Sequence, residues 1–116
     1  MQFKTGQIVQ WTSQAGGNEL TKKGTIIAVC RERGISLTKK TAVNILRETN
    51  EGMTIAKAQD KARYATAPNV LERKYRLKFD PWYGWREGVH YLVEVDRGEG
   101  LKPHLYHPRT EALAAV

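Results

Sequence analysis

The 116-residue chain predicts an α+β domain, in which a small antiparallel β-barrel receives a helical hairpin in its middle. Phe3, Val9 and Trp11 share one parity, and Val89, Tyr91, Val93 and Val95 share another, which is the period of two that a half-buried strand shows. Between these stretches the spacing turns helical, over about residues 36–67, and the barrel strands fall in about 2–30 and 74–108. The length suits one domain spanning 1–116.

The first strand carries Phe3, Val9 and Trp11 on the face to be buried. Thr12 to Glu19 is rich in turn formers and reads as a polar loop, with Gly16-Gly17 free to adopt backbone conformations closed to other residues. Gly24 to Cys30 is β-branched and apolar on both faces, the composition of a central strand, with Lys22 and Lys23 at its entrance. A helix follows, capped by Thr38 and ended at Asn50 and Gly52. A second helix starts after Thr54, its stripe of Ile55, Ala58, Ala62 and Ala65 requiring close packing, and Pro68 stops it. Lys74 to Phe79 alternates basic with apolar residues and reads as a strand, as do Val89–Val95 and Leu101–His107. A short helical turn over Pro108–Leu113 closes the chain.

Composition narrows the function classes. Hydrophobic residues make up 41% and charged residues 27%, an ordinary globular balance. No apolar run reaches the ~20 residues of a membrane span. The opening residues lack the apolar core of a secretion signal, and one cysteine, Cys30, can form neither an internal disulfide nor a Cys-based zinc site, so a reducing cytoplasm is expected. The net charge is +7, unevenly spread: residues 22–78 hold fourteen basic and five acidic side chains. Such a local excess concentrates polyanions near one face.

Phe3 to Val9 followed by Lys23 to Val29, with its G-x-I-x-x-V stretch, resembles the first two strands of SH3-like barrels of the KOW group. Tyr91–Val95 and Leu105–Arg109 are similar to the closing strands of small barrel proteins of phages and mobile elements. The resemblance covers the two ends of the chain. It implies an SH3-like barrel that binds RNA or a protein partner, and it says nothing of residues 31–85.

Phosphate-cradling loops and nucleophile elbows are absent from the sequence. His104 and His107, three apart, would point to opposite faces of a strand, and Cys30 reads as a small buried hydrophobe. Catalysis, a metal and a cofactor are therefore not expected. The segment Lys74 to Arg86 is the strongest local feature, holding five of the ten aromatic residues and four basic ones. In nucleic-acid binders aromatic faces stack on bases while Lys and Arg neutralise phosphates. Pro81 and Gly84 bend the segment, so Trp82 and Tyr83 either project as stacking groups or fold into the core; Trp85 is read as folding inward.

The expected function is non-enzymatic nucleic-acid binding through backbone contacts. Lys22, Lys23, Arg31, Arg33, Lys39, Lys40, Lys74, Arg76 and Lys78 are the expected phosphate contacts, with Trp82 and Tyr83 as stacking groups. A helix-turn-helix is disfavoured, because Thr49–Thr54 is long for the turn and the second helix lacks a base-reading cluster. The alternative is a phage or mobile-element inhibitor, of the anti-CRISPR kind, whose basic segment docks on an acidic host protein. A structural subunit assembling through a barrel edge is a third option.

Overall fold

Residues 2–15, 17–31 and 33–116 are described by the computed structural model; Gly16, half of the expected glycine turn, lies outside them. Strands β1 (Ile8–Ala15) and β2 (Asn18–Arg31) form an antiparallel hairpin in register from Ile8 opposite Thr25 to Ala15 opposite Asn18. The expected polar loop is thus largely ladder. Thr12 and Asn18 to Thr21 are exposed, so polar residues are tolerated there. Three helices follow, α1 (Lys39–Thr49), α2 (Ile55–Tyr64) and α3 (Ala67–Lys74), then β3 (Arg76–Leu77), β4 (Val89–Val95), β5 (His104–Tyr106) and β6 (Ala114–Ala115).

The six strands make one mixed sheet in the order β3-β5-β4-β2-β1-β6, open between its β3 and β6 edges. The fold is α+β, with the helices inserted between β2 and β4. Among the described residues no helix is long and apolar enough to cross a membrane.

Strand β2 is central, paired with β1 on one side and β4 on the other. A bulge between Ile26 and Ala28 reverses its facing. Ile26 therefore packs with Phe3, Val9, Trp11, Tyr91, Val93 and Leu113 on one side of the sheet. Ala28 and Cys30 pack on the other with Leu92, Leu105 and the helices. This is why the segment reads as apolar on both faces. Cys30 is fully buried; its thiol donates to the Ser36 carbonyl at 3.3 Å, and burial pushes its pKa up.

The helix signals act as expected at two starts. Thr38 Oγ1 accepts from the Thr41 amide at 3.1 Å and Thr54 Oγ1 from the Lys57 amide at 3.2 Å. Ala58 of α2 is completely buried, whereas Ile55 stands exposed. Pro68 does not end α2, which already stops at Tyr64 with Ala65 as its C-cap. It occupies the first turn of α3, where a missing N–H is harmless. The hairpin is consequently a three-helix insertion, and the strand expected over Lys74–Phe79 shrinks to Arg76–Leu77. Tyr75 lies in the core, its hydroxyl donating to Glu94 Oε2 at 2.7 Å. Burial and that carboxylate hold its phenol well above the ordinary range.

Candidate nucleic-acid interface

The turn after β3 is built to hold aromatic rings outward. Pro81–Tyr83 forms a 3-10 turn, entered through Asp80, whose Oδ1 accepts from the Trp82 amide at 3.0 Å. Its base is anchored from below. Phe79 meets the His107 ring edge-on at 5.5 Å, and buried Gly84 lies so close to Ile35 that an added Cβ would come within 2.7 Å of its Cδ1. Arg86 Nη2 donates to the His107 carbonyl at 3.3 Å.

Above this base Trp82 is 67% exposed, Tyr83 83% and Trp85 54%. The expectation that Trp85 folds inward is overturned. The two cores are filled by Phe3, Trp11, Tyr75, Tyr91 and the aliphatic side chains, and none of the three rings of the turn is among them. Three large rings held in water within four residues form the kind of apolar patch that marks a binding surface. Trp85 also lines two clefts, about 230 Å³ with Arg33 and Arg86, and about 570 Å³ with Arg86 and Arg109. Arg86, counted in the Lys74–Arg86 segment, and Arg109 were not among the expected phosphate contacts, and the fold brings both to the turn.

The other expected contacts divide into groups. Lys22 lies half-buried with its Nζ 5.4 Å from the centre of the Tyr106 ring and bonded to Ser13 Oγ. Arg76 and Lys78 are exposed on the edge beside β5, in the parallel register that sets Arg76 opposite His104. Lys23 is exposed on the hairpin, opposite Gln10. Arg31 ends β2 and borders a cleft with Phe3 and Tyr91, and Arg33 adopts a positive φ of 23° in the loop beside Trp85. Lys39 and Lys40 occupy the first turn of α1, which has no acidic residue. Cations there oppose the helix dipole. With Arg47, Ile55 and Gln59 they line a groove of about 380 Å³. Lys74 is engaged elsewhere, ion-paired with Glu48 of α1, and does not join Arg76 and Lys78.

The histidines were legible only in part. His104 stays on the sheet face, while His107 is buried with its Nε2 2.7 Å from Nδ1 of buried His90. Burial, then the charge of Arg86 and the neighbouring His90, lower the His107 pKa to about 4. Unfolded histidine titrates near 6.5, so between these values the unfolded chain binds the extra proton. This contribution to stability is therefore complete above about pH 6.5 and is lost as pH falls from there toward 4. Between pH 7 and 4.5 the protein should lose about 2–3 kcal/mol more than H107Q, measured by urea denaturation. Equal losses would show that His107 does not drive acid unfolding. Among the described residues no group of three His, Cys, Asp or Glu side chains is placed to hold a metal ion.

The chain matches no described protein family, no curated protein and no solved structure.

Proposed function

We propose that the protein binds single-stranded nucleic acid, stacking bases on the Trp82–Trp85 turn and neutralising phosphates with the cations around it. The observation that carries this reading is the exposure of all three rings on a turn whose base is fixed in the core. Paired bases hide their faces in the helical stack, whereas a single strand offers them to aromatic side chains at about 1–3 kcal/mol per base. Arg33, Arg86 and Arg109 line the clefts that Trp85 shares, with Glu87 beside them in both and Glu111 in the second. Backbone and stacking contacts of this sort carry little sequence preference.

The test is a titration with a 12-nucleotide single strand, followed by tryptophan fluorescence and by anisotropy of a labelled strand. Trp82 and Trp85 should be quenched, buried Trp11 should not, and the matching duplex should bind more weakly. A duplex bound more tightly than the single strand would refute the stacking role. Binding of neither would leave the turn as a hot spot for a protein partner.

A further inference from the structure

The sheet face turned away from the helices carries a second group of side chains that the turn does not use. His104 and Tyr106 lie two residues apart on β5 and so share a face, as do Arg76 and Lys78 on the neighbouring edge. Arg76 sits opposite His104, and Lys22 reaches in from β2 to lie over the Tyr106 ring. Trp11 meets Tyr106 edge-on at 5.5 Å and backs it from below. The patch is of one sign. Glu94, the acid of the adjoining strand, is turned to the helix side, where it accepts the Tyr75 hydroxyl. Burial, and then the charges of Arg97, Lys78 and Arg76, hold the His104 imidazole below its ordinary pKa, so these cations lie close to one ring.

We infer that this face is a second phosphate-binding subsite, centred on Arg76, Lys78, His104 and Lys22, which continues the track of the single strand held at the aromatic turn. The inference rests on the nucleic-acid reading above. Chain continuity joins the two surfaces. Trp82 lies six positions after Arg76, at most about 20 Å of extended backbone, so one strand of several nucleotides spans both. The turn supplies stacking and the sheet face supplies charge, while Tyr106 offers one further ring.

The consequence is a dependence on strand length. A 4-nucleotide strand occupies the turn alone, and a 12-nucleotide strand should bind at least about tenfold more tightly by reaching the sheet face as well. The variant R76A/K78A removes two exposed cations and should leave 4-nucleotide binding nearly unchanged. It should abolish most of the gain with length and reduce the salt slope for the 12-nucleotide strand by about 1.4. K57A/K61A, which removes the same charge from the exposed face of α2, should keep both the gain and the slope. If R76A/K78A retains the full gain, or K57A/K61A loses as much, the second subsite is overturned while binding at the turn stands. If the unaltered protein binds no strand of either length, the nucleic-acid reading falls and takes this inference with it.

Discussion

Replacing Trp82, Tyr83 and Trp85 together with alanine is expected to weaken single-strand binding at least about 30-fold and to leave folding stability within about 0.5 kcal/mol of the parent. The two halves of that result come from the same geometry. Rings that are half or more exposed contribute little to the core, so their loss opens no cavity. A buried aromatic truncated to alanine would instead cost about 3–5 kcal/mol. The loss of affinity follows from stacking: two bases at about 1 kcal/mol or more each exceed the 1.4 kcal/mol that changes affinity tenfold. Titration of the labelled strand and thermal denaturation of the same samples separate the outcomes. A variant that melts far below the parent would mean that the rings hold the fold together. Unchanged affinity in a stable variant would remove the turn from the interface.

The second large effect is expected at Gly24, where G24A should destabilise the fold by about 2–3 kcal/mol and lower the melting temperature by about 10 °C. The backbone φ is not the reason; space is. A Cβ built on Gly24 would collide with the Glu94 carbonyl oxygen of β4 and lie 2.8 Å from Val93 Cγ1 and 3.1 Å from Val95 Cγ2. The carbonyl belongs to a strand paired on both sides, so it cannot swing away as a side-chain end could. Gly24 is where β2 passes closely over β4, and this approach brings Trp11 and Lys22 onto Tyr106. G24A should accordingly disturb the sheet-face patch as well. A melting temperature within 2 °C or so of the parent would show that the hairpin has room to shift.

Much of the framework was legible in local chemistry. Thr38 and Thr54 announce helices because their hydroxyls satisfy the first free amides, and both do so here. The alternation of Phe3, Val9 and Trp11, and of Tyr91 and Val93, marks one core directly. What stayed hidden depends on distant partners. The third helix was lost because Pro68 serves equally to stop a helix or to start one, and only the packing of Val70 and Leu71 against α1 decides. Lys74 reads as part of a basic strand until Glu48, twenty-six positions away in sequence, draws it to α1. Trp85 was assigned inward on the habits of its residue type, whereas its exposure follows from a core already filled by Tyr75 and Tyr91. The His90–His107 contact joins β4 to the residue after β5, and neither histidine carries a local sign of the other.

The most direct test of the central claim is the tryptophan-monitored titration of a 12-nucleotide single strand repeated across salt concentrations. The account predicts quenching of Trp82 and Trp85 together with an affinity that falls linearly in the logarithm of salt, at about 0.7 of a log unit per phosphate neutralised. The alternative outcome is no quenching and no binding even at low salt. That result would contradict nucleic-acid binding and make the aromatic turn and its cations a docking surface for an acidic protein.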